Sequence, residues 1–143
     1  MFSKSCEYAL RAVIYIHKDS DEKKKLSIKE IAKEIESPEA FTGKILQKLT
    51  REGLIQSTKG PGGGFFIGKR EKPLTVSEVV KAMEGQQFFN KCALGLKNCN
   101  SLKPCPIHHQ VIEQNNRLKE IFETTLITKL AEGLKEGETF LHR

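Results

Sequence analysis

The stretch "STKGPGGGFFIG", residues 57–68, places a run of glycines between two short apolar segments. Lys59 stands just before the run, and two adjacent aromatic residues follow it. Because glycine accepts backbone conformations with positive φ, we predict a tight turn over Gly60–Gly64. The flanking segments, Leu54–Thr58 and Phe65–Gly68, are then the two strands of a β-hairpin.

Two short helices are predicted before this hairpin. Ser27 and Glu30 form a capping box at the start of the first helix. In the second helix, Ser37 suits the N-cap, Pro38 suits the first helical position, and Gly53 suits the end. Two short helices joined by a tight turn are typical of a helix-turn-helix, and the hairpin that follows makes it a winged helix.

The rest of the chain is predicted to be helical apart from one loop. Apolar residues repeat at helical spacing from Ser3 to about Lys18, over Val76–Met83, and along one long helix from Ile107 to Leu134. Little periodicity is present between the last two helices. We therefore predict a mainly α fold with a small β-hairpin wing. Its parts are a winged-helix DNA-binding domain (1–84), a cysteine-rich cluster-binding loop (85–106) and a dimerisation helix with its tail (107–143).

Positive charge is concentrated in the winged helix. The chain of 143 residues has a formal net charge of +6. Residues 1–72 hold 15 Lys and Arg against 10 Asp and Glu, a net of +5, whereas residues 73–143 hold 9 against 8, a net of +1. Such an excess attracts polyanions, although a solvated basic surface and a plain surface hairpin are alternatives.

On the DNA interpretation, the second helix, Pro38–Glu52, enters the major groove and the wing contacts the minor groove or phosphates. The early residues of that helix are expected to be exposed. The predicted contact residues are Ser37, Ala40, Thr42, Gly43, Lys44 and Lys48 on the helix, and Lys59, Gly60, Gly62 and Gly63 on the wing.

Three of the four cysteines lie close together in the loop. Six residues separate Cys92 from Cys99, five separate Cys99 from Cys105, and His108 follows Cys105 by three positions. Zinc usually takes closer Cys-x2–4-Cys pairs, whereas wider spacing suits an iron–sulfur cluster. Zinc binding, and thiol chemistry without a metal, remain alternatives. Cys6, among apolar neighbours, is expected to be a buried hydrophobic residue.

The last predicted helix carries an apolar stripe that a small wing domain would leave uncovered. An uncovered stripe indicates a partner helix, so we predict a homodimer; packing against its own domain is the alternative. The stripe consists of Val111, Leu118, Ile121, Phe122, Leu126 and Leu130.

Other functional classes find little support. No apolar run approaches the roughly 20 residues of a membrane helix, and the N-terminus is not a convincing signal peptide, so a cytoplasmic protein is expected. No catalytic triad, carboxylate pair or nucleotide-binding loop is evident, and the glycine run lacks the Lys-Ser/Thr ending of a phosphate-binding loop. We therefore do not predict an enzyme.

Several segments together resemble a known family. They are the N-terminal "SKSCEYALRAVIYI", the segment from Ser37 to Lys69, the helix "LTVSEVVKAMEG" and the three-cysteine loop. Over about residues 1–130 they resemble the winged-helix iron–sulfur transcriptional regulators typified by IscR and NsrR. The resemblance implies a homodimeric, DNA-binding sensor of iron supply, nitric oxide or redox state. It implies a 2Fe–2S or 4Fe–4S cluster, with 2Fe–2S ranked first, held by Cys92, Cys99 and Cys105.

The resemblance leaves the fourth cluster ligand open between two residues. A histidine three positions after the last cysteine serves in one branch, which implies His108. An acidic residue on the first helix of the other subunit serves in another, which implies Glu7. Family members without a cluster use thiol chemistry or a partner protein, and we keep that as the alternative function.

Two positions depart from the family pattern. Gly43 stands where relatives often carry an acidic residue that can accept a hydrogen bond from cytosine. Lys59 stands where a wing arginine is frequent, and the first cysteine gap is six residues where five is common. We therefore expect an unfamiliar operator.

Overall fold

The computed structural model describes residues 1–142, which form six α-helices, one two-stranded antiparallel sheet and one turn of 3₁₀ helix. The mainly helical fold with a small hairpin is confirmed. None of the helices in this range has the length and hydropathy that a membrane span requires. The elements are α1 (Lys4–Asp19), α2 (Ile28–Glu34), α3 (Glu39–Arg51), β1 (Gln56–Thr58), β2 (Gly64–Phe66), α4 (Val76–Glu84), the 3₁₀ turn (Phe88–Asn90), α5 (His108–Thr124) and α6 (Ile127–Lys135).

Side-chain caps set the starts of two helices. The Ser27 hydroxyl accepts from the Glu30 backbone N–H at 3.1 Å, and the Glu30 carboxylate accepts from the Ser27 N–H at 2.7 Å. The predicted capping box of α2 is thus confirmed. The structure has a second box at α4, formed by Thr75 and Glu78, which the sequence analysis missed although it has the same spacing.

The predicted N-cap of α3 is wrong. Pro38 occupies the cap position, and the helix begins at Glu39 without a side-chain cap. The Ser37 hydroxyl is buried and has no hydrogen-bond partner among residues 1–142. Because the backbone of α3 starts one residue later than predicted, the Ser37 side chain lies outside the position from which a cap can reach the first helical N–H groups.

The end of α3 was predicted correctly. Gly53 follows the helix with a φ of 73°, a conformation that favours glycine. The Gly53 N–H donates to the Thr50 carbonyl and the Leu54 N–H to the Leu49 carbonyl, both at 3.0 Å. The chain then turns sharply back, and Leu54 and Ile55 enter the core instead of beginning a strand.

The strands of the wing are shorter than predicted, and β2 also pairs with a residue that precedes α2. β1 begins at Gln56 and β2 ends at Phe66, with Gln56 paired to Phe66 and Thr58 to Gly64. In addition, Leu26 and Phe65 exchange two backbone hydrogen bonds of 2.8 and 2.7 Å. The residue before the α2 cap therefore fixes the base of the wing against the helix-turn-helix.

The core is built around α1, which packs against α2, α3, α4 and α6. Cys6 is fully buried, as predicted. Burial raises the pKa of its thiol to about 12, and the nearby Glu84 carboxylate adds to this shift. Other completely buried side chains of the core are Val13, Ile16, Ile31, Leu46, Leu49, Val79, Val80 and Ile127.

The continuous helix predicted from Ile107 to Leu134 is wrong, because the chain breaks between α5 and α6. The Thr125 carbonyl accepts from the Val76 N–H at 3.0 Å, and the Ile127 N–H donates to the Leu74 carbonyl at 2.9 Å. These bonds form an antiparallel bridge between Leu126 and Thr75. Backbone pairing with the segment that leads into α4 thus replaces helical hydrogen bonds.

The break divides the predicted apolar stripe. Leu118, Phe122 and Leu130 pack against the core of their own chain, so the alternative of packing on the same domain holds for this part of the stripe. Ile121 is 55% exposed. Arg143, the last residue of the predicted dimerisation segment, lies outside the described residues.

Candidate nucleic-acid interface and cysteine site

One face of α3 is exposed and carries predicted DNA contacts. Ala40 and Lys44 are exposed, and their spacing of four residues places them on the same side of the helix. Lys48, one turn further, is half-buried. Gly43 is half-buried, and a Cβ there would make only an ordinary 3.6 Å contact with Ile28 Cδ1. Side chains on this face can reach a ligand that lies along the helix.

The predicted exposure of Thr42 is wrong. Its side chain is completely buried, and its hydroxyl donates to the Pro38 carbonyl at 2.9 Å. Thr42 shares the buried stripe of Ile45, Leu46 and Leu49, at the same helical spacing. It therefore supports the start of α3 from inside and is not available to a base edge in this conformation.

An open groove of about 380 Å³ separates the second half of α3 from the hairpin. Arg51 on α3 and Lys59 beside β1 supply positive charge along it. The sequence analysis counted Arg51 only as a basic residue and left Gln47 and Thr50 out of the interface. Gln47 lies three residues after Lys44, and Arg51 lies three residues after Lys48, so helical spacing could have placed both on or beside the exposed face. The other lining residues include Ser57, Thr58, Gly64 and Phe65.

The wing tip projects Lys59, Gly60 and Gly62 into solvent, and Gly63 is half-buried. The Gly63 N–H donates to the Gly60 carbonyl at 2.9 Å, which closes the turn. The tip has no bulky side chain between Gly62 and Gly64, so a large ligand can approach its backbone closely. The exposed face of α3, the groove and this tip together form the candidate DNA surface.

The loop brings the three predicted cysteines together as parts of two pairs. Cys99 Sγ lies 3.4 Å from His108 Nδ1. The Cys105 thiol lies near enough to Cys92 to help lower the pKa of the Cys92 thiol. Cys92, Cys99 and His108 also line one cavity of about 820 Å³. Residues that the sequence spreads over 17 positions, 92–108, thus meet at the start of α5.

The backbone around Cys92 favours the thiolate. Peptide N–H groups of Leu96 and Leu94 point at its sulfur and lower the pKa of the thiol, and the hydrogen bond from Cys105 adds to this effect. The Gly95 N–H donates to the Cys92 carbonyl at 3.0 Å, which holds the turn that presents these groups. The local fold therefore prepares Cys92 to act as a ligand or a nucleophile.

His108 is unusual because it is a polar residue that is only 7% exposed. It begins α5, and its N–H donates to the Cys105 carbonyl at 3.0 Å. The ring of His109 lies edge-on to it, with the ring centres 5.2 Å apart. These contacts fix the His108 ring beside Cys99 and hold it away from solvent.

Four aromatic rings anchor the base of the loop. Phe2, Phe88, Phe89 and Phe122 contact one another in a closed ring, with centroid distances between 5.1 and 5.9 Å. They join the N-terminus, the 3₁₀ turn and α5. Pairs of this geometry stabilise a fold by about 0.5–1.5 kcal/mol each beyond their buried area. The rigid base thus links the position of the loop to that of α5.

The alternative ligand Glu7 lies on the first turn of α1. Its carboxylate is 3.0 Å from Lys4 Nζ, and the residue is half-buried. The contacts described above join His108, and not Glu7, to the cysteines of the same chain.

Among residues 1–142, no group of three or more His, Cys, Asp or Glu side chains lies close enough to hold one metal ion. A four-coordinate zinc site is therefore not assembled from these side chains within residues 1–142. A cluster with several iron atoms takes its ligands from several directions, and thiolates are its usual ligands. By donor type, the three thiols and the imidazole suit either zinc or an iron–sulfur cluster, and the absence of a common group of three among the described residues applies to both.

Comparison with known proteins assigns the family. The family model for Rrf2, described as an iron-dependent transcriptional regulator, matches residues 2–133. This chain belongs to the Rrf2 family. A protein of Aquifex aeolicus, whose name describes an HTH-type transcriptional regulator, is 30% identical over 132 residues, which are 91% of this chain and 90% of that protein.

Solved structures of similar proteins share the fold. CymR of B. subtilis, described as its global cysteine regulator, superposes with a TM-score of 0.74 at 21% identity, over 92% of this chain and 96% of that one. T. potens IscR superposes with a TM-score of 0.72 at 17% identity, over 97% and 91%. The Rrf2 relatives are transcriptional regulators and not enzymes, so the winged helix described above belongs to a regulator.

Proposed function

We propose that this Rrf2 regulator is a cytoplasmic homodimer whose affinity for a double-stranded DNA operator is controlled by an iron–sulfur cluster. The observations that support the cluster are the 3.4 Å contact of Cys99 with His108 at the start of α5 and the cavity that Cys92, Cys99 and His108 line. The family description, iron-dependent transcriptional regulator, supports it.

The three thiolates and one further residue would hold the cluster. His108 is our choice for the fourth ligand because its ring already contacts Cys99 and is shielded from solvent. Glu7 of a second copy is the competing choice. Bound iron and sulfide would supply a centre that gains, loses or exchanges electrons and that small oxidants or nitric oxide can attack.

DNA binding would use the surface formed by α3 and the wing. Ala40, Gly43, Lys44 and Lys48 would face the major groove, with Ser37 near the helix start. Lys59, Gly60, Gly62 and Gly63 would contact the minor groove or phosphates. Arg51 and the groove beside Lys59 would receive the backbone of one strand. The net charge of +5 in residues 1–72 supports this surface.

The cysteine loop and the dimer helix would move together. Phe88 and Phe89 at the base of the loop pack on Phe122 of α5 through the closed ring of aromatic residues. An ordered loop would favour one orientation of α5. In the dimer, this orientation would set the distance between the α3 helices of the two copies, which are the helices that enter the major groove. The signal would thus shift the population between two dimer geometries with different operator affinity.

Anaerobic purification followed by visible spectroscopy and iron and sulfide analysis tests this proposal. The parent protein should be brown, and alanine at Cys92, Cys99 or Cys105 should abolish or destabilise the chromophore. Cys6→Ala is the matched control, because Cys6 is buried in the core on another element. His108→Ala should change the spectrum, whereas a change only in Glu7→Ala would select the ligand from the second subunit. A protein that binds stoichiometric zinc and no iron after reconstitution would refute the cluster.

A second function is favoured by one specific contact. Because the Cys105 thiol lies near Cys92, hydrogen peroxide could oxidise the two thiols to a disulfide while it is itself reduced to two waters. The protein would then be a cluster-free regulator using thiol chemistry. The fold of CymR, described as a cysteine regulator, supports this alternative. A colourless protein that forms this disulfide reversibly, with a change in DNA affinity, would establish it.

A further inference from the structure

Arg70 lies where three parts of the winged helix meet. Its Nη1 donates to the Gly53 carbonyl at 2.9 Å, and its Nε donates to the Lys72 carbonyl at 3.2 Å. Its Nη2 lies 3.4 Å from Glu78 Oε1. One guanidinium therefore joins the end of the reading helix α3, the segment after the wing and the first turn of α4.

Two partners of Arg70, Gly53 at the end of α3 and Glu78 at the start of α4, are themselves held by other hydrogen bonds. Gly53 belongs to the hydrogen-bonded cap that ends α3. The Glu78 carboxylate also accepts from the Thr75 N–H at 2.8 Å, within the capping box of α4. Thr75 in turn pairs with Leu126 at the junction of α5 and α6. The contacts thus run from the end of the reading helix to the helix that follows the cysteine loop.

Arg70 is poorly suited to contact a phosphate directly. Its side chain is 28% exposed, Glu78 offsets its charge, and each of the three guanidinium nitrogens is engaged within the protein. Arg70 is an exposed residue, as Lys59 is, so its engaged nitrogens and not burial set it apart. A planar guanidinium can satisfy several acceptors in fixed directions, which a lysine ammonium at the same place cannot do.

We propose that Arg70 is a positioning residue for operator binding, which holds the end of α3 at a fixed angle to α4 and the wing. The inference rests on the proposed DNA-binding function. Its physical basis is that charge-assisted hydrogen bonds to both helix caps restrict how far the reading helix can tilt.

The test compares Arg70→Gln and Arg70→Lys with Lys69→Gln, which removes the same charge from the exposed neighbouring residue. The probes are a duplex selected by the parent protein from a random library and a mixed-sequence duplex of equal length, each titrated over a salt series. Thermal melting and circular dichroism monitor folding, and binding is measured well below the melting temperature.

Both Arg70 variants should bind the selected duplex about tenfold more weakly than the parent protein, while binding to the mixed-sequence duplex changes little. The slope of log K against log salt should stay unchanged, because no phosphate contact is lost. Lysine should fail to restore affinity although it keeps the charge. A role in stability alone would lower the melting temperature and leave the ratio of the two affinities unchanged.

The inference is overturned if Arg70→Gln flattens the salt slope by about 0.9 and Arg70→Lys restores both slope and affinity, because this is the behaviour of a phosphate contact. It is also overturned if both variants bind the selected duplex as tightly as the parent protein. Failure of the parent protein to bind any DNA would instead refute the proposed function, and with it the inference.

Discussion

Gly64 provides a sharp test of how the wing is attached to the helix-turn-helix. It is the first residue of β2 and has a φ of 148°, a conformation that side chains rarely adopt. A Cβ at this position would lie 2.5 Å from the Leu26 carbonyl oxygen and 2.9 Å from its carbon. Both are backbone atoms, so Gly64→Ala can be accommodated only if the wing moves away from Leu26.

The cost of this substitution can be estimated from two contributions. A residue other than glycine in such a backbone conformation costs about 1–3 kcal/mol. Moving the wing also breaks the two hydrogen bonds between Leu26 and Phe65, which contribute about 0.5–1.5 kcal/mol each. We therefore expect Gly64→Ala to lower the free energy of unfolding by about 3 kcal/mol.

Gly62→Ala is the matched control within the same turn. Gly62 has a φ of 74°, and a Cβ there meets no other described atom within 4 Å. Only the left-handed backbone is penalised, so a loss of about 1 kcal/mol is expected. Urea denaturation followed by circular dichroism, at one fixed protein concentration, measures both variants. Equal losses for the two variants would show that the bridge to Leu26 does not hold the wing.

Three further outcomes follow from exposure and charge. Lys59→Ala should weaken operator binding and flatten the slope of log K against log salt by about 0.9. Lys23→Ala is the control, because Lys23 lies outside the predicted surface. An unchanged slope for Lys59→Ala would remove Lys59 from the interface. Ile121→Lys should convert a dimer into a folded monomer in analytical ultracentrifugation, and a parent protein that is monomeric at micromolar concentration would contradict the dimer. Burial lowers the pKa of His17, so the unfolded state takes up a proton first and stability should fall as the pH drops below about 6.5. His17→Gln should reduce this fall in urea denaturation measured from pH 7.5 to 5.5, and an unchanged pH dependence would show that His17 does not cause it.

Local sequence patterns predicted the features that depend on neighbouring residues. The capping box of Ser27 and Glu30 and the terminating Gly53 require only contacts within one turn of the chain, and both are confirmed. The same logic could have placed Thr42 correctly. Its spacing from Ile45, Leu46 and Leu49 is that of a buried stripe. Its short polar side chain can be buried because the hydroxyl donates a hydrogen bond to the Pro38 carbonyl.

Features that depend on distant residues were not predictable in this way. The contact of Cys99 with His108 requires the loop to fold back onto the start of α5, and spacing alone does not specify such a path. The contact of Arg70 with the Gly53 carbonyl likewise spans 17 residues of sequence. Charge alone therefore does not distinguish Arg70 from its exposed neighbour Lys69, whereas its contacts do.

The break between α5 and α6 changes how a dimer can form. The predicted helix of 107–134 would have presented one apolar stripe along its whole length. In the structure, α6 packs on α1, and Leu130, the stripe residue that α6 carries, packs against the core. α5 has 17 residues, or about 25 Å of helix, and it keeps Ile121 exposed. A second copy would therefore meet α5 and not α6, close to the cysteine loop. A charge at Phe122 would disturb the aromatic base of the loop as well as the association, which is why Ile121 is the cleaner position for testing the dimer.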